Sequence, residues 1–130
     1  MIAVLELRIG VETEAAALAS QRRLAVHLKA MRVALDAFAR AVERGGDAVA
    51  ADFLFHSEIA RTTRNEHFTN FIATLGAAIN PPKRLGTAGA PDDAGRDYLR
   101  KANAEHESIF NAISEQDAEA ARAAMRNCSS

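Results

Sequence analysis

Apolar side chains recur every three or four residues through most of the chain, and breaks in that recurrence divide it into six amphipathic segments. The first, residues 4–19, sets Val4, Leu7, Val11 and Leu18 on one side with Leu5 and Ile9 beside them. Arg8 and Glu12, four apart, pair on its flank. The second, residues 22–44, carries Leu24, Leu28, Met31, Leu35, Phe38 and Val42 at alternating spacings of four and three. That is the seam of a helical bundle, and His27 falls outside it and reads as exposed. Gly45-Gly46 ends this segment and Asp47 caps the next, residues 48–62.

Asn65 reads as the cap of a fourth helix with Phe68, Phe71, Ile72, Leu75 and Ile79 facing inward and His67 at the surface of its first turn. Asn80-Pro81-Pro82 ends it. The stretch from there to about Gly95 is longer than most helix–helix connections, a length that often belongs to a lid or mobile segment. Lys83 and Arg84 at its start either face an anionic ligand or are simply exposed. Residues 97–114 form a fifth helix, and Asp117 caps a sixth over residues 118–127. The expected fold is therefore all-α, an antiparallel bundle of about six helices forming one domain over residues 1–130.

Composition agrees with that expectation. With 130 residues, 5% aromatics, no Trp and three Pro, the chain suits closely packed helices in a single core. A net charge of −1 leaves no electrostatic footprint for nucleic acid or an anionic membrane. Arg22, Arg23, Lys29 and Arg32 form a local basic patch that reads as a solvated helix face. A single cysteine cannot form an internal disulfide, so the cytoplasm is the default location. The opening Met1 to Gly10 is interrupted by Glu6 and Arg8 and lacks the core of a signal peptide. No run approaches the ~20 apolar residues of a membrane span.

The chemistry lies where polar side chains interrupt apolar stripes. Asp52 and His56 stand on the stripe Val49, Asp52, His56, Ile59. His106 interrupts Leu99, Ala102, His106, Ile109, Ile113, and Cys128 closes Ala121, Met125, Cys128. Helices five and six are joined by a short turn near Glu115-Gln116, so they should be antiparallel neighbours. His106 and Cys128 then lie at similar distances from that turn, roughly 13 to 18 Å at 1.5 Å per residue. Imidazole, carboxylate and thiolate together suit a divalent transition metal such as zinc. Against this, an Asp and a His four apart on a helix more often form a simple side-chain hydrogen bond. Other metal architectures fail on spacing: there is no His-Glu-x-x-His, and no Glu-x-x-His precedes any histidine. A nucleophile elbow and a phosphate-cradling Gly loop are missing too.

The combination of Leu5-Glu6-Leu7-Arg8, Glu12, Ala16-Ala17-Leu18-Ala19, Asp52-Phe53-Leu54-Phe55-His56, Asn65, Glu105-His106, Ala112-Ile113 and Asp117-Ala118-Glu119-Ala120-Ala121-Arg122-Ala123-Ala124-Met125 resembles the FadR-type C-terminal ligand-binding (FCD) domain of GntR-family transcription regulators. The resemblance covers nearly the whole chain. It implies a helical antiparallel bundle, usually a homodimer, with a metal held by an Asp-x-x-x-His pair and two later histidines. Asp52, His56 and His106 fall on the first three of those positions. Cys128 stands where the fourth histidine usually does.

On this reading the chain is an effector-sensing domain and not an enzyme. It binds a divalent metal, zinc before nickel or manganese, and through it a small organic acid. Arg8 is either a second anchor for the acid's carboxylate or an exposed partner of Glu12. Family regulators carry a winged-helix DNA-binding domain before the bundle, so DNA would be reached only through a domain not in this chain. This chain is expected to be a piece of such a regulator or a stand-alone module. Two alternatives stay open: a metal-dependent enzyme, for which no general base is nominated, and a metal-free helical dimerisation module in which Asp52 and His56 merely hydrogen-bond.

Overall fold

Three short side chains set the chain reversals that the sequence pattern predicts. Asp47 accepts a hydrogen bond from the Ala50 amide, Asn65 from that of His67 and Asp117 from that of Ala120, each satisfying an orphan N–H at a helix start. The computed structural model describes residues 2–79 and 93–129. Its elements are α1 (Ile2–Arg22), α2 (Ala25–Arg44), α3 (Ala48–Thr62), α4 (Glu66–Ile79), α5 (Asp93–Ser114) and α6 (Ala118–Ser129). No strand occurs among the described residues, and the fold is the expected all-α bundle. Lys83, Arg84 and Pro81-Pro82 lie outside the described residues.

Helix α1 packs against α3, α5 and α6, α2 against α3 and α5, and α5 against α6. In the main core cluster Met31, Leu35, Phe55, Ile59, Ile109, Ile113 and Met125 meet the alanines of α1, and a smaller cluster of Phe38, Val42 and Ala51 lies beside it. Here the expectation for α1 is overturned. Val4 and Leu7 are exposed, Leu7 by 56%, whereas Ala15, Ala16 and Ala19 are buried. The inward face of α1 is its small-residue face, because a helix flanked by three others needs short side chains for close approach. That rotation also carries Glu12 inward, to 2% exposure, so it is not the flank residue its spacing from Arg8 suggests.

Helix boundaries differ in two places. The first helix continues to Arg22, and the break falls at Leu24, whose backbone is extended (φ −115°, ψ 168°), so α2 starts at Ala25 and not at residue 22. His27, expected to be exposed, is half-buried, and its Nδ1 accepts the Leu24 N–H at 2.9 Å. Helix α5 begins at Asp93, a turn before the predicted residue 97. Asp93 puts a carboxylate in the first turn, where the positive end of the helix favours it, and the helix runs through Gly95.

The predicted basic patch is largely consumed by structure. Arg22 donates to the Thr63 carbonyl at 2.7 Å and Arg23 to the Ser114 carbonyl at 2.6 Å. Arg32 forks onto Glu107 of α5 while also pairing with Asp36. Arg100 on α5 grips Glu43 of α2 at 2.8 and 2.9 Å. Exposed pairs of this kind add little stability individually, but these two cross-links fix α2 and α5 on either side of the buried Phe38–His106 contact.

Candidate metal centre

Four of the helices present polar side chains to one buried point. From α3 come Asp52 and His56, one turn apart on the same face; α5 supplies His106, α6 supplies Cys128, and α1 supplies Glu12 and Arg8. The imidazoles are held by aromatic neighbours: Phe38 stands edge-on to His106 with centroids 4.8 Å apart, and Phe55 touches both rings. Cys128 packs against the main core below Ala121 and Met125, both fully buried, so the phase of α6 turns the thiol inward.

Donor atoms of His56, His106 and Cys128 all lie within 4.8 Å of one another. Asp52 sits between the two rings, its Oδ1 2.8 Å from His106 Nε2 and 3.4 Å from His56 Nε2. The other side of His56 is taken by Glu12, whose Oε1 faces Nδ1. The second oxygen of Glu12 accepts from Arg8 Nε at 2.5 Å. Glu12 is the member of this cluster that sequence reading missed as a site residue. Its signal was its place on the alanine face of α1, with Ala15, Ala16 and Ala19 one and two turns on.

The electrostatics follow from these contacts. Burial opposes every charge here, yet Glu12 and Asp52 outweigh it at His56 and raise that imidazole well above its ordinary pKa. His106 is raised against its own burial by Asp52 and Cys128. Conversely, burial would lift the carboxyls of Glu12 and Asp52, but the imidazoles hold both below the usual carboxylate range, with Arg8 adding to the effect on Glu12. The Cys128 thiol is likewise pulled down by His106 and His56 against the effect of burial. The site is thus a compact alternation of imidazoles shifted toward the charged form and carboxylates held in theirs.

This donor set fits a divalent transition metal. Ligands ~2.0–2.1 Å from a tetrahedral zinc stand about 3.4 Å apart, which matches the 3.4 Å between Asp52 and His56, while Asp52 and His106 stand closer, at a hydrogen-bonding 2.8 Å. His56 already has the arrangement of a metal-ligating imidazole, with Nδ1 oriented by a carboxylate and Nε2 directed to the common point. His106 meets Asp52 through Nε2, while its Nδ1 is buried without a hydrogen-bond partner.

Above these residues opens a cavity of about 380 Å³, at the small end of ligand pockets. Asp52, His56, His106 and Cys128 line it, Phe38, Val49 and Leu99 give it apolar walls, and Arg8, Lys101 and Glu105 add charged groups. Arg8 pairs with Glu12 through Nε and also lines the cavity. The pair is not an exposed one, because Glu12 is buried.

Comparison with known proteins agrees with the geometry. The model of the FCD domain family matches residues 3–129. Comparison with curated proteins gives no match. Among solved structures the chain is similar to a GntR protein of Streptococcus agalactiae, with a TM-score of 0.72 and 19% identity over 96% of this chain. At that identity the likeness concerns the fold alone. The chain covers 53% of the other, about half its length.

Proposed function

The chain belongs to the FCD domain family of GntR-type regulators, and on that premise we propose that it is a ligand-sensing domain that holds one divalent metal and, through it, a small carboxylate effector. The observation that carries this reading is that Asp52, His56, His106 and Cys128 line one cavity with Arg8, the donor atoms of the two imidazoles and the thiol lying within 4.8 Å of one another. When bound, the metal supplies a Lewis-acidic centre for an acid's oxygen. Asp52, His56 and His106 hold it with Cys128, and Glu12 keeps the His56 ring oriented. The guanidinium of Arg8 offers the acid a second contact.

In a homodimeric regulator, an effector that binds one arrangement of the bundle more tightly than another would shift the placement of the attached DNA-binding domains by that difference in affinity. DNA contact belongs to those domains. The family is one of regulator domains, which favours sensing over turnover. Zinc suits the donor set best, with nickel and manganese as the other ions to examine.

Metal analysis of the purified protein is the first test. About one divalent ion per chain is expected, with a melting temperature that falls on chelation. Asp52→Ala, His56→Ala and His106→Ala should each abolish that response. Protein that contains no metal and takes up neither zinc, nickel nor manganese would leave the metal-free dimerisation module as the better account.

A further inference from the structure

A sulfur donor sets this site apart from one built on imidazole and carboxylate alone. Cys128 belongs to the one group of described residues whose potential metal-donor atoms are all mutually close, and its partners there are His56 and His106. Its position on α6 is anchored: Met125 and Ala121, three and seven residues earlier, are fully buried on the same face, and Cys128 itself packs against the core. The thiol also lines the cavity, so an ion entering from solvent meets it together with both rings.

We propose that Cys128 ligates the metal and that its sulfur makes the site selective for thiophilic divalent ions, zinc and cobalt(II), over manganese(II) and magnesium. The inference rests on the proposed metal centre and names the class of ion that centre takes. Two imidazoles, one carboxylate and one thiolate form a four-donor set that matches the tetrahedral preference of zinc. Manganese and magnesium favour six oxygen-rich positions, and among these four donors only Asp52 supplies oxygen. On binding, the thiol and any protonated imidazole release their protons to solvent, and each freed lone pair forms one bond to the ion, with no change of oxidation state.

The test uses the full chain stripped of metal and reloaded with cobalt(II). Cobalt bound by wild type should show near-ultraviolet thiolate-to-cobalt charge-transfer absorption and the intense visible bands of a tetrahedral ion. Cys128→Ser should lose the charge-transfer band while still binding cobalt, and Cys128→His, which keeps a fourth nitrogen, should bind without the band. In competition dialysis, the preference of wild type for zinc over manganese should shrink in Cys128→Ser by on the order of tenfold or more. Stoichiometric cobalt binding without the charge-transfer band would overturn the proposal and leave the metal centre standing. So would equal zinc-to-manganese preference in wild type and Cys128→Ser. Failure of the wild type to take up any of the ions would overturn the metal centre itself and this inference with it.

Discussion

Glu12 and His56, 44 residues apart in sequence, are joined by a buried contact between the carboxylate and Nδ1, and the same carboxylate holds Arg8. Glu12 thus ties a residue facing the cavity to a residue facing the proposed metal. Replacing it separates orientation from charge. Glu12→Gln keeps the shape but reduces acceptor strength, and it should lower zinc affinity by about 10- to 100-fold, the usual effect of disturbing a carboxylate behind a metal-bound imidazole. Competition against a chromophoric chelator measures this, and unchanged affinity would show that Glu12 plays no part in orienting the ligand. Glu12→Ala leaves His56 Nδ1 without its buried partner while Asp52 remains at Nε2, and should destabilise the metal-free protein by about 1 to 3 kcal/mol.

Small carboxylic acids, and not amines or neutral sugars, should stabilise the metal-loaded protein. An acid present at about a hundred times its dissociation constant adds ~2.7 kcal/mol, a rise of several degrees in Tm for a domain of this size. If all four protein donors stay bound, the acid makes a fifth bond, an expansion that zinc allows. A thermal-shift panel of di- and tricarboxylates, hydroxy acids and sugar acids, run on loaded and chelated protein, checks this. Stabilisation that persists after chelation would place the acid away from the metal. The same panel, analysed for products, decides between sensing and turnover.

Stability of the metal-free protein should depend on pH in two opposite senses. The charge on His56 stabilises fully below its ordinary value of 6.5 and that contribution is lost as pH rises through its raised folded value. The carboxylates of Glu12 and Asp52 stabilise above their ordinary values and lose that contribution as pH falls through their depressed ones. Chelated protein should therefore have its highest Tm between the usual carboxylate range and the ordinary imidazole value of 6.5, and lose stability above it. A metal displaces protons from the same imidazoles, so the loaded protein should have its optimum at higher pH. Melting curves across pH for both forms would refute this account by superimposing.

Gly76→Ala should destabilise the fold, although alanine is normally the better helix residue by about 1 kcal/mol. A Cβ at this position would lie 2.0 Å from Phe53 Cε1, so the ring that packs α3 onto α4 must move. Overpacking of this kind typically costs about 1 to 3 kcal/mol. Urea denaturation should show a net loss that Phe53→Leu partly restores in the double variant. A more stable single variant would mean that the ring has room to shift.

What the sequence disclosed and what it hid have the same physical origin. Asp52, His56, His106 and Cys128 were visible because each interrupts a stripe of large apolar side chains, and three of the four meet within one coordination distance scale. Glu12 was hidden because its neighbours on the inward face are alanines, which contribute little to a hydrophobic pattern, while Val4 and Leu7 advertise a face that stays exposed. An Arg four residues away made Glu12 resemble one half of a surface pair. The helix breaks were legible where Gly45-Gly46, Asn65 and Asp117 mark them. The break at Leu24 was not, since it lies within an apolar seam and is capped by the ring nitrogen of His27.

The contact of α1 with α6 brings the first and last described helices together at the site. During synthesis Cys128 follows Glu12 by 116 residues (128 − 12), roughly 6 to 23 seconds at ~5–20 residues per second. Until α5 and α6 have been made, the alanine face of α1 lacks two of the helices that cover it in the fold, so the site closes only once the last described helix has docked.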